Sequence, residues 1–100
     1  MSHLIYEFEW DPEKARVNRK DHGIDFEEAE TVFDDPYARI IDDPDHSVEE
    51  HREIIIGYSG RNHLLFVSFT ERSPNLIRII SARRANSKER KGYEEEYSEK

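Results

Sequence analysis

Apolar and polar residues alternate over residues 4–10. A period of two predicts a half-buried strand, with Leu4, Tyr6, Phe8 and Trp10 on its apolar side. Asp11 and Pro12 come next, a pair typical of an N-cap and first helical position. We therefore predict a helix from there to about His22, where Gly23 ends it.

A second helix is predicted directly afterwards. Asp25 is its expected N-cap, and Glu28 three residues later completes an Asp variant of the capping box. Helical spacing gives it one apolar stripe, formed by Phe26, Ala29, Val32 and Phe33. Asp35 and Pro36 end this helix.

The second half of the chain has the pattern of a sheet. A short strand over residues 37–41 and an acidic loop over 42–50 precede three apolar runs, separated by turns, at 52–58, 63–70 and 76–82. These runs predict an antiparallel meander, covered on both sides because the strand interiors are apolar on both faces.

A last helix, capped by Asn86 or Ser87, should run to about residue 97. The order β-α-α-β-β-β-β-α predicts an α+β fold, a small antiparallel sheet with two N-terminal helices and one C-terminal helix. We expect one domain over residues 1–100, with the acidic tail from about residue 94 as a candidate flexible segment.

Composition narrows the function classes. Hydrophobic residues make up 35% and charged residues 38%, which leaves a thin core. There is no cysteine, which excludes disulfides, zinc–thiolate sites and a cysteine nucleophile. The sequence shows no apolar run long enough to span a membrane and no signal peptide, so we expect a cytoplasmic protein without membrane contact.

The net charge of −8 is unevenly distributed. Residues 25–53 hold twelve acidic residues against Arg39 and Arg52, whereas residues 78–92 hold six basic residues against Glu89. The basic segment can meet phosphate locally, although a solvated helix face has the same pattern. We expect this segment to line a cleft and the acidic segment to lie elsewhere. The RNA-binding candidates are Arg78, Arg84, Lys88, Arg90 and Lys91.

The basic segment also contains groups that RNA cleavage could use. Strand alternation places Arg83, Ser81 and Ile79 on one side of the last strand and Ala82 on the other. An arginine at the end of a core strand is held stiffly enough to address a phosphate. Glu89 and Tyr93 follow on one helix face. The alternative is structural: an Arg83–Glu89 salt bridge, with Tyr93 at the core edge.

Other candidate residues lie before this segment. Lys14, Asn18 and His22 form a polar stripe on the first helix, which faces either a cleft or solvent. His46 and His51, in the acidic loop, make a weak metal site at best. We therefore predict no metal and no cofactor.

Together these residues resemble the BrnT toxins of type II toxin–antitoxin systems. The resemblance runs from Phe8 to about Tyr93 and rests on Phe8-Glu9-Trp10-Asp11-Pro12, Lys14-Ala15, Asn18, His22-Gly23, Phe26-Glu27-Glu28-Ala29, Thr70-Glu71-Arg72, residues 78–84, Glu89 and Tyr93. It implies a RelE-like fold and a metal-independent endoribonuclease that acts on RNA and blocks translation. It also implies a BrnA-like ribbon-helix-helix antitoxin, through which alone the protein would reach operator DNA. A dimer and a heterotetramer with the antitoxin are candidate assemblies.

The catalytic candidates are positions that the family's pattern keeps. Lys14 or His22 would be the base or the charge near it, Arg72 and Arg83 the phosphate clamp, and Glu89 and Tyr93 would orient them. The acidic balance departs from the family and leaves two alternatives open: a non-catalytic antitoxin-binding co-repressor and an RNA-binding domain without cleavage.

Overall fold

A computed structural model describes residues 6–43 and 51–98, with side chains through residue 95. The elements follow one another in the predicted order, which confirms the α+β class. They are β1 (Glu7–Glu9), α1 (Pro12–His22), α2 (Phe26–Glu30) with a 3₁₀ turn (Thr31–Asp34), β2 (Arg39–Asp42), β3 (Glu53–Tyr58), β4 (Leu64–Ser73), β5 (Leu76–Arg84) and α3 (Ser87–Ser98). Within the described ranges, no helix is long and apolar enough to cross a membrane.

Some sequence-based expectations fall at the margins of the described residues. Leu4 and most of the predicted acidic loop, including His46, lie outside them. α3 continues to Ser98 and so includes residues 94–98 of the acidic tail. The flexibility of that tail stays a prediction.

The sheet is mixed, with strand order β1-β5-β4-β3-β2. β3, β4 and β5 form the predicted antiparallel meander, and β2 extends it by pairing antiparallel with β3. β1, however, pairs with β5 in parallel, Glu7 opposite Leu76 and Glu9 opposite Arg78. A parallel pair needs a long crossover connection, and all the elements between these two strands supply it.

α1 takes over the edge of β5 where the short β1 ends. The buried Asn18 side chain accepts a hydrogen bond from the Ala82 backbone N–H at 3.0 Å and donates to the Ala82 carbonyl at 2.8 Å. Its amide also donates to the Ile24 carbonyl at 3.0 Å. An amide thus satisfies backbone groups that an edge strand would leave unpaired.

A β-bulge in β5 changes which side chains share a face. Ser68 pairs with Ser81 but the next residue, Phe69, pairs with Ile79, so Ile80 is an extra residue. Ala82 therefore belongs to the same core as Ile79. The predicted alternation, with Arg83 and Ile79 on one side, is wrong for this reason.

Two apolar clusters lie on opposite faces of the sheet. The larger joins α1 and α2 to the sheet and is built from Ile24, Phe26, Ala29, Val32, Ile55, Leu65, Val67, Phe69, Ile77, Ile79 and Ala82. The smaller lies under α3 and contains Ile54, Ile56, Leu64 and Tyr93, with Phe66 and Tyr58 packed against it. Helices thus contribute to both faces, as the strand composition predicts.

The helix ends confirm two capping predictions and correct one. Asp11 accepts a hydrogen bond from the Glu13 N–H at 2.8 Å, and Gly23 ends α1 with φ of 71°. Asp25 makes no side-chain cap, because its carboxylate pairs with Arg19 at 2.7 Å. The predicted capping box at α2 is therefore wrong.

A reciprocal box is found instead at the start of α3. Asn86 accepts a hydrogen bond from the Glu89 N–H at 2.8 Å, and the Glu89 carboxylate accepts one from the Asn86 N–H at 2.9 Å. Asn86, one of the two predicted caps, takes part in both hydrogen bonds and lies one residue before Ser87, where the helix begins.

Candidate active site

Arg83 lies at the end of β5, where three contacts fix its guanidinium. Nη1 and Nη2 each donate to one Glu89 carboxylate oxygen at 2.9 Å, and Nη1 also donates to the Arg84 carbonyl at 3.1 Å. Its Cζ lies 4.0 Å from the centroid of the Phe66 ring. Among the described residues, no acceptor meets Nε–H or the second Nη2–H. One edge of the guanidinium is therefore held while the adjacent edge stays available.

Glu89 is suited to holding that arginine. The hydrogen bond from Arg83 lowers the pKa of the Glu89 carboxyl, assisted by the Asn86 backbone N–H and the arginine's charge, while partial burial opposes the shift. Glu89 thus stays a carboxylate at neutral pH and cannot serve as a general acid there. Its contacts are those of a positioning residue.

Tyr93 lies four residues after Glu89 but points into the smaller core. It is 5% exposed, and its hydroxyl donates to Asp35 Oδ2 at 2.8 Å. Its ring meets the Tyr58 ring edge-on at 5.5 Å between centroids. Asp35 also accepts from the backbone N–H groups of Tyr58 and Tyr37. Tyr93 therefore anchors α3 to the sheet, which is the structural role that the sequence left open.

Lys14 and His22 line a cavity of about 360 Å³ between α1 and β5. The cavity is also lined by Glu13, Val17, Asn18, Asp21, Ile80 and Ser81. Ser81 precedes Arg83 by two positions and shares its face of β5. Within the described part of the chain, the side chains of Lys14 and His22 make no hydrogen bond or ion pair. The predicted polar stripe thus faces a cavity, although its middle member, Asn18, is structural.

Arg72 and Arg78 meet in a different place. Both approach Glu9 Oε2 of β1, Arg78 at 2.9 Å and Arg72 at 3.9 Å. Their contacts are with β1, whereas the contacts of Arg83 are with α3. The structure therefore brings Arg83 and Glu89 together but gives Arg72 a separate ion-pair group.

The remaining basic candidates have mixed surroundings. Arg84 Nη2 lies 3.0 Å from His63 Nε2, and Arg90 donates to the Tyr58 hydroxyl at 3.1 Å. Lys88 and Lys91 are exposed and make no ion pair with any residue that the structure describes. These two lysines are therefore accessible to a partner in solution.

Sequence reasoning missed a buried carboxylate behind Arg84. Glu28 is 7% exposed and accepts hydrogen bonds from Ser59 Oγ at 2.6 Å and from His63 Nδ1 at 2.8 Å. Because arginine only donates, His63 Nε2 accepts from Arg84, and Nδ1 carries the proton. The sequence pattern assigns Glu28 to a capping box and gives no signal of its burial, since a glutamate beside an apolar stripe is usually solvated.

Burial raises the pKa of Glu28, but the hydrogen bonds from Ser59 and His63 outweigh it and hold that pKa below its usual range. Glu28 and Asp35 both come from the acidic segment and contact His63 and Tyr93, neither of which lies within residues 78–92. The expected separation of the acidic and basic segments therefore stays a prediction.

One group in the described ranges has ligand atoms close enough for a metal ion. Asp42, His51 and Glu53 offer ligand atoms that all lie within 4.8 Å of one another. His51 Nε2 is 3.3 Å from Asp42 Oδ1. The group is mostly exposed, at the edge formed by β2 and β3, and none of its members belongs to the site around Arg83.

Comparison with known proteins identifies the family. A family model described as "Ribonuclease toxin, BrnT, of type II toxin-antitoxin system" matches residues 10–89. The chain belongs to the BrnT family. The match confirms the resemblance seen in the sequence, and because BrnT proteins act within toxin–antitoxin systems, it implies an antitoxin partner.

The fold of a solved BrnT protein is similar. The 1.1 Å crystal structure of the Brucella abortus ribonuclease toxin BrnT matches with a TM-score of 0.63 and 23% sequence identity. The match covers 82% of this chain and 99% of that chain. No curated protein matches. The structural match supports the BrnT fold of this chain.

Proposed function

We propose that this BrnT-family chain is a metal-independent endoribonuclease that cleaves RNA and thereby blocks translation. The reaction is attack of a ribose 2′-oxygen on the adjacent phosphorus. The O2′–P bond forms, the P–O5′ bond breaks, and a 2′,3′-cyclic phosphate and a 5′-hydroxyl result. The 2′-hydroxyl proton passes to the base, and O5′ takes a proton from water.

The arrangement of Arg83 carries this proposal. Glu89 and Phe66 fix its guanidinium, so little rotamer entropy remains to be lost on binding a phosphate. The available Nε and Nη2 donors form a fork that matches two phosphate oxygens. Charge that develops on the phosphate would then meet a donor pair already in position.

Lys14 and His22 are the candidate bases. Both line the cavity to which Ser81 also contributes, and Ser81 shares the face of β5 that carries Arg83. Removing a 2′-hydroxyl proton needs a group with an accessible lone pair close to the phosphate clamp, and these two side chains make no competing hydrogen bond within the described ranges. Arg72, Arg78, Arg84, Lys88, Arg90 and Lys91 would contribute charge along the RNA backbone.

The partner follows from the family and from the charge. We propose that a ribbon-helix-helix antitoxin of the BrnA type neutralises the chain in the cytoplasm and carries it to operator DNA. Its acidic residues would meet the exposed Lys88 and Lys91. A heterotetramer is the assembly we favour, because ribbon-helix-helix domains bind DNA as dimers.

The decisive experiment is RNA cleavage by the purified chain in excess chelator. We expect cyclic-phosphate ends, at a rate that Arg83→Ala reduces at least a hundredfold while circular dichroism is unchanged. Arg61→Ala, which removes an exposed arginine on the β3–β4 hairpin, is the matched control and should cleave normally. Cleavage that requires a divalent ion would overturn the metal-independent mechanism. RNA binding without cleavage would instead support the RNA-binding alternative.

A further inference from the structure

Some side chains that line the cavity between α1 and β5 have no role in the proposed cleavage. Asp21 lines it beside Lys14 and His22, and Val17 and Ile80 contribute apolar surface. Its volume of about 360 Å³ is near the lower end of the range for ligand pockets. A pocket of this size suits one nucleoside better than a larger ligand.

The polar groups come from one face of α1. Positions 14, 18 and 21 follow helical spacing, so Lys14 and Asp21 lie on the same side as the buried Asn18. Within the described ranges, Asp21 forms no ion pair or hydrogen bond that would commit its carboxylate. The cavity therefore presents a group that only donates beside a group that only accepts.

We propose that this cavity is a nucleobase subsite that selects guanine through Asp21 and Lys14, an inference that rests on the proposed RNA substrate. The Watson–Crick edge of guanine offers the O6 acceptor next to the N1–H and N2–H donors. Lys14 donates to O6, which leaves His22 as the base of the proposed cleavage, and the Asp21 carboxylate accepts from N1 and N2. Unpaired RNA bases are commonly read along this edge.

The other bases fit less well. Uracil has a carbonyl on each side of its single N–H, which places a carbonyl oxygen against the Asp21 carboxylate. Adenine and cytosine each present one amino group beside a ring acceptor, so neither offers the carboxylate two adjacent donors. Val17, which is 39% exposed, and Ile80 would pack against the base faces and do not discriminate.

Binding of mononucleotides tests the subsite without relying on cleavage. The full chain is titrated with GMP, AMP, CMP, UMP and inorganic phosphate while backbone amide shifts are followed by NMR. We expect GMP to shift the amides of residues 14–22 and 80–81 at the lowest concentration. Asp21→Asn should weaken GMP about tenfold and should not weaken UMP, because the amide removes the repulsion between the carboxylate and the uracil carbonyl. Glu27→Gln, which removes one exposed negative charge on α2, should leave both affinities unchanged.

The outcomes separate this inference from the proposed function. Equal affinity for all four nucleotides, or shifts caused equally by inorganic phosphate, would overturn the guanine subsite. RNA cleavage with no preference at guanine would contradict it in the same way while leaving the nuclease intact. Selective GMP binding by a chain that cleaves no RNA would instead refute the nuclease and retain the subsite.

Discussion

At the scale of single residues, the proposed cleavage depends most on the Arg83 guanidinium, which has two edges that can each bind an anion. Glu89 occupies one edge of Arg83, and the other edge is the proposed phosphate clamp. A lysine ammonium carries the same charge but has no planar fork, so it cannot bind the carboxylate and a phosphate in these two directions. Arg83→Lys should therefore retain the fold and lose at least tenfold in cleavage rate. An Arg83→Lys variant as fast as the native chain would show that charge alone suffices.

A second single-residue prediction concerns Asn18. Replacing it by alanine leaves the Ala82 N–H and two carbonyls without their side-chain partner. Each unsatisfied buried group costs about 1–3 kcal/mol, so we expect Asn18→Ala to lower the free energy of unfolding by at least about 2 kcal/mol in urea titrations. Lys20→Ala, on the exposed side of the same helix, should change it little. Equal stability of the two variants would contradict this account.

At the scale of elements, α3 is held by a few identified contacts. The Tyr93 hydroxyl bonds to Asp35, and the Glu89 carboxylate bonds to Arg83. Tyr93→Phe keeps the aromatic ring and removes the hydroxyl that bonds to Asp35. We expect it to lower the free energy of unfolding by about 1 kcal/mol and to speed amide exchange in α3. Tyr6→Phe, whose hydroxyl has no hydrogen bond in the described ranges, is the control that should leave both quantities unchanged.

The elements themselves could be predicted well from the sequence, because caps and periodicity are local properties. Asp11 and Gly23 bound α1 as expected, and the three apolar runs became β3, β4 and β5. The parallel pairing of β1 could not be predicted, since it joins the two ends of the chain. The same holds for Glu28, whose burial depends on His63 from a distant hairpin. At the candidate site, the Arg83–Glu89 pair could be predicted from the spacing of the two residues in the sequence. The position of Tyr93 could not, because it depends on tertiary packing.

At the scale of the whole molecule, buried or half-buried carboxylates link stability to pH. The pKa values of Glu28 and Glu89 lie below the ordinary value of 4.5 in the folded chain. Their ionised forms therefore add stability above that value, and the contribution disappears as the pH falls through the lower, folded-state pKa values. We expect the free energy of unfolding to decrease as the pH is lowered below about 4.5.

Glutamine variants test this pH dependence. Glu28→Gln and Glu89→Gln remove the titrating groups. Each variant should therefore show a shallower decrease in the free energy of unfolding as the pH falls below about 4.5. Glu27 forms no hydrogen bond within the described ranges, so Glu27→Gln should keep the native dependence of the free energy of unfolding on pH. Urea titrations at a series of pH values measure this. An unchanged slope in both Glu28→Gln and Glu89→Gln would show that other carboxyls govern acid unfolding.

The extra residue in β5 determines which face of the sheet each later residue of that strand occupies. Between Ile79 and Arg83 the chain has three intervening residues, and an unbroken strand would put both ends of that interval on one face. Only the bulge at Ile80 lets the former enter the core while the latter stays beside α3. If Ile80 were instead paired in a regular ladder without the bulge, every residue after it would exchange faces, turning the guanidinium inward and Ala82 outward. A shift of one residue in the strand pairing, rather than any single chemical group, thus separates the proposed site from a buried charge.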